Sequence, residues 1–452
     1  MSDVQEAKRA AEFIRERMPA HGLFAGMDWR IAPRPFRLEA KQFSELEKLG
    51  RVLLQFYRAT NQLYRKSVEG TQPGWVAEYL DRGKPEEVLD WGRAPSFKND
   101  VPRVIRPDLL LTDEGFKVSE LDSVPGGIGL TGWLNETYTD LREQSESSAT
   151  LSDVVGGRAG MVEGFRSIFP RGSSVNIVIS KESETYVPEM EWIAERLNKV
   201  EQGRYRLRDG NHREFGTGES VYRFFELFDV PNVKNAFDIL ARAEQGDLFV
   251  TAPPKAYFEE KMLFALLWNR NLREFWRQQL GEGFLRRMLD LAPMTWIVDP
   301  APLPPHAAIP HLEITHWDQL KTFSQRERDL ILKVSGFSET AWGARGVYLG
   351  SDLASAEWSE AVDIALKGFD KNPFVLQRYH KPRTVEMEWF DFASGQLKKE
   401  EGRVRLCPYY FVAGEGDAAR ANLAGILATI APADKKIIHG MRDAVLAPVC
   451  VE

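Results

Sequence analysis

The sequence predicts an α+β protein that carries a smaller α/β part near its middle. Three observations point there. SSVNIVIS (Ser173–Ser180) followed by YVPEMEWIAERL reads as a strand and then an amphipathic helix, and DLFVTAPP (Asp247–Pro254) supplies a second strand signal of the same kind. The last third of the chain strings together short strands with two helices among them, a pattern that suits antiparallel pairing. At 452 residues the chain is long for one core, so two or three domains are expected.

Taken in order, Gln42–Tyr79 is mostly helical and Val104–Asp122 reads as two strands. EQSESSATLS (Glu143–Ser152) is the best linker candidate. Phe258–Leu291 is helical, with Leu263, Leu266, Leu267 and Phe275 forming apolar faces, and the proline-rich Asp299–Pro310 then breaks the chain. Strands follow at Asp329–Val334 and Gly346–Leu349, a helix at Ala354–Phe369, and strands at Pro373–Tyr379, Thr384–Phe392 and Arg403–Val412. A last helix is expected near Asp417–Ile430. The division implied is 1–145, 146–258 and 259–452.

Composition narrows the function classes. The content is 43% apolar and 28% charged, ordinary for a folded chain. A net charge of −7 gives no reason to expect nucleic acid as a partner. The basic residues Arg270, Arg273, Arg277, Arg286 and Arg287 share a helical pattern and read as a solvated face. The charged start lacks a signal-peptide core, and no run is apolar enough to span a membrane. Cys407 and Cys450 form no metal or disulfide framework, so a reducing cytoplasm is expected.

The most informative segment is RPDLLLTDEGFKVSELDS, Arg106–Ser123. Asp113-Glu114-Gly115 suits a three-residue hairpin loop, which would pair Thr112 with Phe116. Counting outward puts Asp108 opposite Glu120 and Arg106 opposite Asp122, all on one face, with Leu110, Phe116 and Val118 nearer the turn. Like charges directly opposite are destabilising, so three carboxylates beside one arginine call for a further cation. Hard divalent ions such as Mg²⁺ take oxygen ligands, which points to a metal site. The bland alternative is a solvated hairpin. Against it, Ile105, Leu109, Leu111 and Leu121 make the other face apolar, and PGGIG (Pro125–Gly129) follows as a loop expected to be mobile and able to approach a ligand.

That arrangement of Arg, Asp, Glu and a further side-chain oxygen resembles the catalytic hairpin of glutathionylspermidine synthases and of circularly permuted ATP-grasp proteins more widely. The resemblance implies a permuted ATP-grasp fold with a Rossmann-like pre-ATP-grasp domain, here 146–258. It implies that Asp108, Glu120 and Asp122 hold Mg²⁺ and that Arg106 contacts the transferred phosphate; Asp122 stands where relatives carry Asn. A permuted order also places the nucleotide-gripping part later, within 259–452. DLILKVSGFSETAWGARGVYLG resembles the lysine strand and glycine-rich flap, with Lys333 on ATP phosphates and Gly336, Gly343 and Gly346 in the flap. PFVLQRYHKP resembles the adenine-pocket strand, with Gln377, Arg378 and Tyr379 at the hinge. The likeness extends from about Trp91 onward, the C-terminal segment included.

Other signals stay open or recede. Arg345 is either a phosphate contact or solvated, and Arg403 and Arg405 share a strand face that either reaches the γ-phosphate or forms structural salt bridges. His439 reads as structural. Gly127, Gly129 and Gly132 match GxGxxG but lack the second parallel strand of a dinucleotide fold, and no P-loop or GxSxG motif is present. The resemblance implies an ATP- and Mg²⁺-dependent carboxylate–amine ligase working through an acyl-phosphate, with small-molecule or peptide substrates left open. A non-catalytic ATP-binding protein of the same fold and a metal-dependent hydrolase are the alternatives.

Overall fold

A computed structural model describes residues 3–19, 29–144, 152–341, 345–438 and 442–452. The N-terminal part contains α1 (Asp3–Glu16), the short strands β1 (Arg30–Ile31) and β2 (Phe36–Leu38), and the long α2 (Ala40–Val68). Next come α3 (Trp75–Asp81), α4 (Glu86–Arg93), the hairpin strands β3 (Val104–Thr112) and β4 (Gly115–Asp122), and α5 (Ile128–Gln144). The middle runs α6 (Gly160–Ser167), β5 (Val175–Ile179), α7 (Val187–Val200), β6 (Tyr205–Asp209), β7 (Ser220–Phe224), α8 (Ala236–Glu244) and β8 (Phe249–Thr251). Then follow α9 (Met262–Trp268), α10 (Arg273–Leu291), β9 (Thr295–Ile297), β10 (Leu330–Val334), β11 (Val347–Leu349), α11 (Ser355–Gly368) and β12 (Phe374–Arg378). The chain closes with β13 (Thr384–Asp391), β14 (Gln396–Ala413), β15 (Arg420–Pro432) and β16 (Val445–Val451). No helix of the described residues is long and apolar enough to cross a membrane.

The chain divides into two compact units. The first comprises Met1–Leu54, Asp100–Pro253 and Lys381–Glu452; the second comprises Gln55–Asn99 and Pro254–His380. The first unit holds two sheets. One follows the order β1-β16-β15-β14-β3-β4, with β13 paired to β14 and β2 to β16, so the hairpin β3–β4 forms its edge. The other is wholly parallel, β6-β5-β7-β8, the strand–helix part expected between 146 and 258. All of β5 and β7 is buried, as parallel strands covered by helices require. The second unit is built on the antiparallel sheet β11-β10-β12-β9, with α11 packed on one face through Trp358, Ala361, Val362 and Ala365.

One expected helix is a strand. The sequence near Asp417–Ile430 instead forms β15, hydrogen-bonded between β14 and β16. Ala424, Ala428 and Ala431 favour helix locally, yet from Ala424 to Ala431 every residue is buried. A run apolar on both faces is what a central strand presents, and the sheet on either side decides the matter.

Candidate active site

The hairpin reaches its expected pairing by a different route. Its turn has two residues, Asp113 and Glu114, because Thr112 pairs with Gly115 and not with Phe116. Gly115 takes φ +99°, which a side chain would strain, and Thr112 Oγ1 donates to the Gly115 carbonyl at 2.8 Å. A bulge then inserts Ser119 between Val118, opposite Leu109, and Glu120, opposite Asp108. The bulge restores the lost residue, so Asp108 faces Glu120 and Arg106 faces Asp122 as expected. Nearer the turn the faces exchange: Lys117 lies opposite Leu110, while Phe116 and Val118 join Leu109 and Leu111 in the core.

At the far end of the hairpin the charges interlock. Arg106 Nε lies 2.9 Å from Asp108 Oδ1 and its Nη2 lies 3.2 Å from Asp122 Oδ2, so this guanidinium stands between two carboxylates. The neighbouring strand β14 adds a second cation: Arg405 Nη1 lies 3.1 Å from Asp108 Oδ2, and the Cys407 thiol donates to Asp108 Oδ1 at 3.4 Å. Alternation along β14 brings Arg405, Cys407 and Tyr409 to one face, and the Tyr409 hydroxyl donates to the Gly126 carbonyl at 2.8 Å. Burial pushes the Asp108 carboxyl up, but Arg106 and Arg405 outweigh it and hold its pKa below the usual carboxylate range. Asp122 goes the other way, to about 6, because burial and the nearby Glu120 and Asp108 outweigh Arg106.

The glycine loop after the hairpin is clamped, contrary to the mobility expected of it. Arg106 Nη1 donates to the Gly126 carbonyl at 3.1 Å, alongside Tyr409. Glu189, on the first turn of α7, accepts from the backbone N–H of Gly127 at 2.6 Å and of Leu130 at 3.1 Å, capping α5 from another element. Burial raises the Glu189 carboxyl to about 7 against those hydrogen bonds. The GxGxxG spacing has a packing cause. A Cβ on Gly129 would fall 2.1 Å from the Glu189 carbonyl and one on Gly132 2.7 Å from the Trp192 ring, so these glycines let α5 lie against α7.

Among the described residues no group of three or more His, Cys, Asp or Glu side chains is gathered about one point. Arg106 stands where a bridging cation would serve Asp108 and Asp122, and Arg405 supplies much of the positive charge that the carboxylates demand. In kind, however, the three carboxylates suit a hard divalent ion, and Asp122 is disfavoured as an anion where it stands. The residues fit such an ion by chemistry and need side-chain rotation to hold it.

In the second unit, Lys333 is buried on β10 and donates to Gln377 Oε1 at 3.0 Å. Its strand ends at a welded corner. Ser335 donates to Glu260 and accepts from the Met262 N–H at 2.9 Å, while Glu260 holds the Lys84 ammonium, whose side chain is buried, at 2.5 Å. Gly336 sits so close to Glu259 that a Cβ would fall 2.5 Å from its carbonyl. Gly346 is similarly confined by the Thr340 carbonyl. Arg345 is exposed, while Gly343 and His439 lie outside the described residues. Gln377 is buried, Arg378 is exposed, and the Tyr379 N–H donates to the Asp329 carbonyl at 3.1 Å.

Sequence reasoning had left Arg403 and Arg405 between two roles. Arg405 forms the structural bridge to Asp108. Arg403 is buried on the same face, and its Nε and Nη1 meet no hydrogen-bond acceptor among the described residues. Glu189, Cys407 and Tyr409 were missed. Nothing local distinguishes Glu189 from Glu191, and the β14 residues gain meaning only beside β3, some three hundred positions earlier.

No family model matches the sequence, and no curated protein matches it. Among solved structures, a glutathione synthetase-like effector from Globodera pallida, in its apo form, superposes with a TM-score of 0.57 at 9% identity, covering 99% of this chain and 97% of its own. A candidate gamma-glutamylcysteine synthetase from Methylobacillus flagellatus gives 0.41 at 12% identity over 83% and 87%, too loose to carry an argument. At such identities the likeness concerns fold alone. The chain therefore shares its mixed α/β fold, nearly end to end, with a glutathione synthetase-like protein, in keeping with the resemblance read from the sequence.

Proposed function

We propose that the chain is a circularly permuted ATP-grasp ligase that activates a carboxylate with ATP and Mg²⁺ and joins it to an amine. The observation that carries this reading is the hairpin end, where Arg106, Asp108, Glu120 and Asp122 meet in the register that the resemblance demands. The fold shared with a glutathione synthetase-like protein supports it.

In this reading Lys333 neutralises nucleotide phosphates, and the flap that starts at Gly336 excludes water from a reactive acyl-phosphate. Arg106 balances charge as the γ-phosphoryl leaves ADP for the substrate carboxylate, and Arg405 keeps Asp108 ionised beside it. Asp108, Glu120 and Asp122 would hold Mg²⁺, which when bound shields the phosphate oxygens. The amine then displaces phosphate from the acyl group, forming the C–N bond. Small molecules and peptides both remain suitable as carboxylate and amine.

One observation favours a second reading, a non-catalytic ATP-binding protein: both Asp108 oxygens are already taken by guanidinium groups. ADP release on mixing ATP·Mg²⁺ with pools of carboxylates and amines separates the two. The ligase reading expects release that needs both pools, and that falls by at least about a hundredfold in Asp108→Asn with Glu120→Gln. Nucleotide binding without any turnover across broad pools would abandon it.

A further inference from the structure

Three polar side chains cross the sheet of the second unit in one row. Thr295 on β9 lies directly opposite Gln377 on β12, and Gln377 lies opposite Ile331, one pleat from Lys333 on β10. All are buried, at 2% exposure for Thr295, 3% for Gln377 and 7% for Lys333. Lys333 Nζ donates to Gln377 Oε1 at 3.0 Å, Gln377 Nε2 donates to Thr295 Oγ1 at 3.1 Å, and the Thr295 hydroxyl donates to the Pro293 carbonyl at 2.8 Å. Every donor points the same way.

That direction has a consequence for the amide. The Thr295 hydroxyl has given its proton to Pro293, so it can only accept from Gln377. If the amide turned over, its NH₂ would face the Lys333 ammonium, and its oxygen would face a hydroxyl with no proton to offer. Thr295 therefore fixes the sense of the Gln377 amide, and the amide oxygen accepts one of the ammonium's protons and helps to orient it. A buried donor left without its acceptor is strongly disfavoured, so the chain behaves as one unit.

We propose that Thr295 and Gln377 are positioning residues, which hold the Lys333 ammonium at one point for nucleotide phosphates, and that the Gln377 side chain does not read the adenine base. The proposal rests on the reading of Lys333 as a phosphate contact. It reassigns Gln377 from the hinge role that the resemblance implied, and it brings in Thr295, which no motif marks.

The test uses the full chain and the variants Thr295→Val, Thr295→Ser and Gln377→Met, with binding of ATP and of adenosine measured by calorimetry. Thr295→Val and Gln377→Met should each weaken ATP by about tenfold and leave adenosine within about twofold, with Thr295→Ser restoring ATP binding. Equal loss of ATP and adenosine in Gln377→Met, or an unchanged ATP affinity in Thr295→Val, would overturn it. If the wild type binds neither ligand, the ligase reading has failed separately. The geometry is then judged by competitive labelling of lysines with a trace acylating reagent, read by peptide mass spectrometry. Lys333 should react several-fold faster in both Thr295→Val and Gln377→Met while the other lysines keep their rates, and an unaltered Lys333 rate would refute the positioning role.

Discussion

The hairpin end and the Lys333 row both bury cations, and they stabilise them by different means. At the hairpin, Arg106 and Arg405 face the carboxylates of Asp108 and Asp122, so charge meets charge across three strands. In the row, Lys333 is held by the neutral amide of Gln377, itself held by a hydroxyl. Ion pairs in a buried place are strong and unforgiving, since removing one partner strands the other. A neutral acceptor orients a cation without cancelling its charge. The first arrangement is the more costly to break, because each charge depends on its partner.

The contrast can be broken most severely at the hairpin. Asp108→Ala removes the carboxylate shared by Arg106 and Arg405, and should lower the free energy of unfolding by about 3–5 kcal/mol in urea titration. A loss below about 1 kcal/mol would mean that solvent or a neighbour compensates, and the distinction from Lys333 would weaken.

A second effect concerns Glu189, raised by burial to about 7 from an unfolded value near 4.5. A raised carboxyl lends the folded state stability that is complete below the unfolded value and is lost as pH rises through the folded one. Its share of stability should therefore fall by on the order of 3 kcal/mol between pH 4.5 and about 7.5. Glu189→Gln should remove that slope in urea unfolding measured at several pH values, and a variant curve parallel to wild type would reject the assignment.

The smallest effect should come from Asp122→Asn. Burial and its acidic neighbours bring Asp122 to about 6, so its ionised form opposes folding above that pH. The amide keeps an acceptor for the Val124 N–H and loses the charge. We expect a gain of roughly 1 kcal/mol at pH 8 and none near pH 4; the side chain keeps a quarter of its surface exposed, and screening limits the gain. Destabilisation at pH 8 would show that the bond to Arg106 outweighs burial.

Much of this site could be read from the sequence, though partly through offsetting errors. The pairings Arg106–Asp122 and Asp108–Glu120 followed from counting outward from a three-residue loop, whereas the turn has two residues and the Ser119 bulge makes up the difference. Turn length and bulge are both local choices that several residues tolerate, so alternation alone does not fix them. Strands β6 and β7 went unread because YRLRD and SVYRF are short and carry arginine; Arg223 is nonetheless fully buried, donating to the Ala252 and Phe225 carbonyls. The β15 segment reads as a helix in sequence because alanine and leucine favour one until strands flank them. The bond between Arg405 and Asp108 joins positions 297 residues apart, and no local pattern announces such a partner.

The bulge at Ser119 also bears on how this segment can change in length. Removing Ser119 alone would take out the bulge and leave the pairings in place, with Val118 opposite Leu109, Glu120 opposite Asp108 and Asp122 opposite Arg106. A chain without residue 119 should therefore keep Arg106, Asp108, Glu120 and Asp122 together and lose only the local bend that the bulge gives β4.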